Sequence, residues 1–390
     1  MTPVSGPVLI RFEGARATCL SSSVVSGCDR WKEIKVENKS YEFLKKLMSS
    51  ISPPGYEDEA AVVWKDEAEK FADEFRRDLH GNSFAIINPG GSPRIMLAGH
   101  YDEIGFTITY IDDKGFIWFA PIGGWDPQVP VGQHVTIRSS KGHVPGVIGK
   151  CPIHLQKEDA RKQITKLEQQ WVDIGARNRK EAEKLVSVGD PMVITRDISH
   201  LVNNRVCGRG FDNRAGAFVV LEAARRLSGM KPGAEISAVA TVQEEIGLRG
   251  ARTAAYGIDP TVGIAVDVTF ATDYPTMDDP RKQIGNIEVG KGVVVTRGPN
   301  INPKLYDLLI DTARKEKIAH QINVEPRGTG TDANVIQTNR SGVATGLLNI
   351  PNRYMHTPCE MVSMDDLDSC IGLIAHSCAR ITDKTDFVPF

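Results

Sequence analysis

The run Ile236 to Val242 is apolar enough to be a buried strand, and it ends against two adjacent carboxylates, Glu244 and Glu245, followed by Ile246 and Gly247. A strand that stops at a glycine-flanked turn aims neighbouring side chains into one crevice, at the carboxyl edge where open α/β sheets bind ligands. Most acidic pairs are solvated surface, but the Ala-Val-Ala-Thr-Val stretch before this one argues against a free face. A metal-using hydrolase needs one carboxylate to hold a cation and another nearby to take a proton from water.

The rest of the chain fits an α/β host. Ser40 to Met48 and Glu57 to Phe75 carry apolar residues at helical spacing, separated by the Pro-Pro-Gly break between Ser52 and Tyr56. Ser83 to Asn88 and Arg94 to Ala98 read as strands, Ala215 to Leu227 as a helix, and Val262 to Val266 as a very buried strand. Lys304 to Lys317 and Asp365 to Arg380 read as helices around the strand Ala344 to Leu348. Between them the texture changes. Short strands dominate residues 109–199, interrupted by one charged helical stretch, Lys157 to Gln169. The expected organisation is therefore an α/β catalytic domain from residues 39–108 and 200–390, with a small β-rich, barrel-like domain inserted at 109–199. Residues 1–38 form an N-terminal extension, expected to be poorly ordered and to hold nothing catalytic.

Composition narrows the classes. Over 390 residues the formal net charge is -2, with 41% apolar and 25% charged residues. No basic field suggests nucleic acid, and no apolar run approaches the roughly 20 residues that cross a bilayer. Seven scattered cysteines without a Cys-x-x-Cys spacing suit a reducing, cytoplasmic compartment. Cys359, close after His356, reads as a small residue beside a site rather than as a nucleophile.

Five segments carry side chains with metal-ligand chemistry. His100 and Asp102 end one strand, Asp212 precedes a helix, Glu244 and Glu245 follow a second strand, Asp267 ends a third run, and His356 lies in a late loop. Two His and several carboxylates suit a pair of Zn²⁺ ions, with Co²⁺ or Mn²⁺ as alternatives. Spacing alone leaves the assignment to each ion open. Ligand economy favours His100 and Asp267 on one ion, Glu245 and His356 on the other, and Asp212 bridging. Glu244 is then left as general base, and Asp102 orients His100 from behind. Each residue also has a plainer reading: Asp212 as a helix cap, Asp267 as a turn residue, and Glu103 as a structural acid beside the site.

The segments GHYDEIGF (99–106), GRGFDNRAG (208–216), TVQEEIGLRGA (241–251), AVDVT (265–269), GTDAN (330–334) and RYMHTPCEMV (353–362) resemble the dinuclear metallo-aminopeptidases typified by glutamyl aminopeptidase and the tetrahedral (TET) aminopeptidases. The resemblance runs in order from about Asn38 to Arg380. It implies a mixed-sheet α/β/α metallopeptidase domain and an aminopeptidase that removes N-terminal residues from short peptides with water activated by two metal ions. It implies the same roles for His100, Asp102, Asp212, Glu244, Glu245, Asp267 and His356. The β-rich insert would cover the active site and build a homo-oligomer, from a dimer to a hollow dodecamer, with GWDPQVPVGQ (124–133) and VDIGA (172–176) resembling its pieces. GTGTDAN (328–334) and the turn Pro299 to Pro303 would line the substrate pocket. Three rival readings stand beside this one. They are an endoglucanase-type glycosidase using a pair such as Glu244 and Asp102, an amidase or deacylase of N-acyl amino acids on the same metals, and a metal-stabilised scaffold without activity.

Overall fold

A computed structural model describes residues 38–389, so the expectation for the N-terminal extension lies outside the described residues, Asn38 excepted. In chain order, β1 (Glu74–Arg77), β2 (Ser83–Ile87) and β3 (Arg94–His100) open the main sheet. Six strands follow: β4 (Gly105–Ile111), β5 (Ile117–Ile122), β6 (His134–Ser139), β7 (Gly142–Gly149), β8 (Trp171–Asp173) and β9 (Pro191–Ile194). After β10 (Ser199–Leu201) and β11 (Arg205–Gly208), the chain returns to the main sheet as β12 (Glu235–Thr241), β13 (Val262–Phe270), β14 (Val293–Arg297), β15 (His320–Val324) and β16 (Ala344–Asn352). The last strand, β17 (Glu360–Ser363), pairs with β11, which pairs in turn with β10, in a small separate sheet.

The main sheet has eight strands in the order β1-β2-β12-β3-β13-β16-β14-β15. Its middle four, β12, β3, β13 and β16, are mutually parallel, while β1, β2 and β12 pair antiparallel, as do β16 and β14. The parallel strands are apolar on both faces: all of β12 beyond Glu235 and all of β13 up to Val268 are buried. Helices must therefore cover both sides. The helix Phe211–Met230 lies closest. A Cβ added to Gly99 of β3 would fall 2.5 Å from the Gly216 carbonyl carbon, and one on Gly216 would fall 2.7 Å from Val266 O. Glycine at both positions lets helix and sheet approach this closely, with Phe211, Phe218, Leu221 and Leu227 buried along the helix.

The six intermediate strands close into an antiparallel barrel, β4-β5-β8-β7-β6-β9. Alternate residues of each strand fill it: Phe106 and Ile108, Ile117 and Phe119, Val135 and Ile137 are all buried in a core separate from that of the main sheet. Trp125 stacks on Phe106 at 4.5 Å between ring centroids and donates its indole N–H to Gly105 O at 2.9 Å.

Two local expectations differ from the structure. The helix expected over Glu57 to Phe75 spans only Asp58–Ala68, and Glu74–Arg77 becomes the edge strand β1. The Asp73 N–H is taken by Ile86 O at 3.0 Å, so the open edge of β2 outcompetes continued helix. The charged stretch Lys157 to Gln169 forms one helical turn, Glu158–Arg161, and a 3₁₀ turn, Leu167–Gln169, with no buried residue in either. With no apolar face to bury, a longer helix there has nothing to offset its nucleation cost.

Candidate metal centre

The register of the parallel strands sets one row across the sheet. Thr241 of β12 pairs with His100 of β3, and Asp267 of β13 pairs with Asn349 of β16. The pairing of Ala265 with Ala98, carried on by two residues, brings Asp267 level with His100. Beyond this row β3 and β12 end while β13 and β16 continue, which opens a crevice at the carboxyl edge. Glu244 and Glu245 follow β12, with Gln243 in the left-handed region at φ 55° to turn the chain. His356 lies after β16, itself at φ 59°.

Asp212 reaches the crevice from the start of the helix Phe211–Met230. The backbone departs from helical geometry at Asp212 and Asn213, and the Asp212 to Asn213 peptide is cis. Asn213 Oδ1 accepts the N–H of Gly216 at 2.9 Å, the i to i+3 pattern of a cap. Asn213 thus does the capping, and the Asp212 carboxylate faces the two imidazoles instead. Its Oδ1 lies 3.5 Å from His100 Nε2 and its Oδ2 lies 3.2 Å from His356 Nε2.

The remaining ligand-type atoms gather around those imidazoles. His100 Nε2 is 3.6 Å from Glu244 Oε2 and 3.8 Å from Asp267 Oδ1, and His356 Nε2 is 3.6 Å from Glu245 Oε2. Two sets, His100 with Glu244 and Asp267, and Asp212 with Glu245 and His356, each hold their donor atoms within 4.8 Å of one another. Such separations are long for hydrogen bonds. The pairs at 3.2–3.8 Å lie near the roughly 3.3–3.6 Å edge of a tetrahedron with metal–ligand bonds of about 2.0–2.2 Å. Glu245 Oε1 is buried without a hydrogen-bond partner among the described residues. The donor chemistry and that orphaned oxygen fit a pair of divalent cations.

Two acids hold this arrangement from behind. Asp102 accepts the backbone N–H of Glu244 on Oδ1 and of Glu245 on Oδ2, both at 3.1 Å. The contact to His100 Nδ1 comes first from the Asp102 backbone carbonyl at 3.1 Å, with the carboxylate at 3.5 Å. Glu360, which sequence reasoning passed over, accepts the N–H of Asp212 on Oε2 at 3.0 Å and of His356 on Oε1 at 2.9 Å. Its only signal was an acid four residues after His356. The barrel contributes as well. The Gly124 backbone, in the loop after β5, lies beside His356, and a Cβ at Gly124 would lie 3.6 Å from His356 Nδ1.

Burial pushes the Glu244 and Glu245 carboxyls well above the usual range, followed for Glu245 by repulsion from Asp212. Burial also raises Asp267, and raises Asp332 to about 7, where its Oδ2 accepts from Thr241 Oγ1 at 2.6 Å. Asp212 goes the other way. Burial opposes its ionisation, but the His100 and His356 imidazoles hold it below the ordinary carboxylate range. His100 is raised despite burial, by Glu244 and Asp102. The cavity over these groups has a volume of about 310 Å³ and, among the described residues, is lined by no Lys or Arg. Gly328 to Thr331 line it, whereas Pro299 to Pro303 do not. That turn borders a separate cavity, and Asn300 supports the wall from outside by donating to Thr329 Oγ1 at 3.1 Å. Of the plainer readings, Glu103 is structural: it pairs with Arg209 and Arg214.

The whole architecture is that of known peptidases. A family model described as M42 glutamyl aminopeptidase matches residues 81–373. A lysyl aminopeptidase of Pyrococcus furiosus is 40% identical over 359 residues, covering 90% of this chain and 99% of its own. The crystal structure of a TET aminopeptidase from a marine sediment archaeon of the Thaumarchaeota superposes with a TM-score of 0.84 at 36% identity, covering 89% of this chain and 97% of that one. The TET1 peptidase of Pyrococcus horikoshii, described as able to assemble into a tetrahedron or a large octahedral shell, superposes with a TM-score of 0.77 at 30% identity, over 86% and 98% of the two chains.

Proposed function

The chain belongs to the M42 glutamyl aminopeptidase family, and from that premise we propose that it is a two-metal aminopeptidase removing N-terminal residues from short peptides. The observation that carries the metal reading is the Asp212 carboxylate, one oxygen toward each imidazole, in a buried acidic crevice that no described Lys or Arg lines. His100, Asp212 and Asp267 would hold one ion, and Asp212, Glu245 and His356 the other. Each set offers three protein ligands and leaves a position open, as catalytic sites do. Zn²⁺ suits these donors, with Co²⁺ and Mn²⁺ as alternatives. Bound there, the cations would polarise the scissile carbonyl and make water nucleophilic near neutral pH.

The chain's own residues supply the rest. Glu244 stands in the set with His100 and Asp267, yet Asp212 completes that set without it. Glu244 is then free to take a proton from the attacking water and pass it to the leaving amine. Its raised pKa suits a base that must also act as an acid. Asp102 fixes the backbone of Glu244 and Glu245, and Glu360 fixes that of Asp212 and His356, so four functional side chains are aimed through their own amides. The barrel would form part of the substrate enclosure and, as the shell-forming relatives suggest, a contact in a homo-oligomer.

The glycosidase reading needs Asp102 as a catalytic carboxylate, and both Asp102 oxygens are already committed to amides at a fully buried position. An amidase or deacylase would use the same atoms. Hydrolysis of peptides bearing different N-terminal residues, with Zn²⁺ or Co²⁺, with EDTA, and with the N-terminus blocked, separates these readings. Metal-dependent cleavage of free N-termini alone is the expected result. Equal cleavage of blocked peptides would favour the amidase, chelator-insensitive activity the glycosidase, and no cleavage the scaffold.

A further inference from the structure

Besides the four acids and His356 of the candidate metal centre, the cavity wall holds one more ionisable side chain among the described residues, Glu325. Glu325 follows β15, and strand alternation puts it on the same face as Asn323, which also lines the cavity. Its backbone is fixed, since its N–H is donated to Arg297 O at 2.9 Å. Asn323 is fixed too: its Oδ1 accepts from Thr296 Oγ1 at 2.7 Å, and that hydroxyl accepts from Asn349 Nδ2 at 2.6 Å. The Glu325 carboxylate, in contrast, has neither an ion pair nor a hydrogen bond among the described residues, and neither Arg297 nor Arg327 lines this cavity. Phe270, Leu347 and Met355 supply apolar wall beside it.

We infer that Glu325 is the selectivity residue of this site, and that the cavity takes a peptide whose N-terminal residue is basic. This rests on the aminopeptidase reading above. The methylene stem of a Lys or Arg side chain fits the apolar wall, while its charged end meets an acid that the fold leaves without a counter-charge. An acidic N-terminal side chain would meet like charge from Glu325 and find no cation of the protein to answer it. A neutral aliphatic side chain would fill the same space and leave the carboxylate unanswered.

The test uses the metal-loaded, full-length protein and the p-nitroanilides of Lys, Arg, norleucine and Glu, with norleucine as the uncharged counterpart of Lys. The wild type is expected to give the largest kcat/KM on Lys and Arg. In Glu325→Gln the ratio of Lys to norleucine kcat/KM should fall by about 10–100-fold. Glu325→Lys should invert the order of the Lys and Glu substrates. Raising the ionic strength should lower the wild-type Lys to norleucine ratio and leave that of Glu325→Gln flat. A wild-type preference for Glu or norleucine, or a ratio unchanged in both variants, overturns the inference while leaving the aminopeptidase reading intact. Failure to hydrolyse any of the four substrates with Zn²⁺ or Co²⁺ would overturn both together.

Discussion

Asp102 and Glu103 are neighbours in sequence, both buried, and they enter two different electrostatic regions. Glu103 meets two guanidinium groups, Arg209 and Arg214, the second at 2.9 Å. Arg214 is itself buried, donates to Ser50 O at 2.6 Å, and is lowered to about 10, chiefly by burial. That cluster is neutralised by its own chain. On the other side, Asp102 belongs to a crowd that includes Asp212, Glu244, Glu245, Asp267 and Asp332, whose basic partners among the described residues are two imidazoles. A protein does not bury that many carboxylates without a compensating charge. The first cluster is complete as folded. The second has no such complement among the described residues, and on the proposed reading cations supply it.

The sharpest way to break this contrast is to remove the cations. Chelation should abolish peptide hydrolysis, and Zn²⁺ or Co²⁺ should restore it, with two ions per chain by elemental analysis. Full activity in a protein stripped of metal would end the two-metal reading. Next in size, Glu244→Gln should lower kcat by about 10²–10⁴-fold while the metal count stays at two. Loss of a metal ion in that variant would make Glu244 a ligand and not the base.

On the self-neutralised side, Glu103→Gln should cost about 3–5 kcal/mol in urea unfolding, because it strands two buried guanidinium groups. Its metal count should not change. Smaller again, Glu360→Gln should weaken metal binding by about 10–100-fold, measured by competition with a chelating dye, because it loosens the backbone of both Asp212 and His356.

The smallest effect is a pH dependence that should differ between stripped and loaded protein. A carboxyl raised above its unfolded pKa stabilises the fold below the unfolded value and loses that contribution as pH rises through the folded value. Glu244, Glu245 and Asp267 are raised and Asp332 titrates at about 7, with His100 and His356 raised in the same sense. The stripped protein should therefore lose on the order of 1 kcal/mol between pH 6 and pH 8. Asp212, held low, works in the opposite direction, but only in the acid range. Cations replace the protons, so the loaded protein should show a flat or rising profile over the same interval. Denaturant melts with EDTA and with Zn²⁺ would compare the two.

Much of this was legible because the chemistry sits at strand ends. Buried runs such as Ala265 to Asp267 and Ile236 to Val242 announce both the sheet and where its crevice opens, and the structure brings all seven candidate residues together there. The supports were not legible. Glu360 is tied to Asp212 across the chain, and no local pattern marks an acid whose partners are two distant amides. Asp102 was expected to orient His100, and it does lie against His100 Nδ1, but the grip of its carboxylate on the Glu244 and Glu245 amides had no signal in the sequence. The edge strand Glu74–Arg77 was hidden for the same reason, since the hydrogen bonds that decide it belong to β2. Periodicity reports what a segment prefers alone. It does not report which distant donor or acceptor will outbid that preference.

The contact between Gly124 and His356 has a further consequence. One ligand of one proposed ion lies against a loop of the barrel, while His100 and Asp267 stand on the main sheet, with Asp102 behind His100. Whatever shifts that loop, whether a neighbouring subunit or an arriving peptide, would alter the affinity of the His356 ion more than that of its companion. By thermodynamic reciprocity, filling the His356 site would favour the loop position that suits it. On the two-metal reading, the two ions would be nearly equivalent in ligand chemistry and unequal in what they sense.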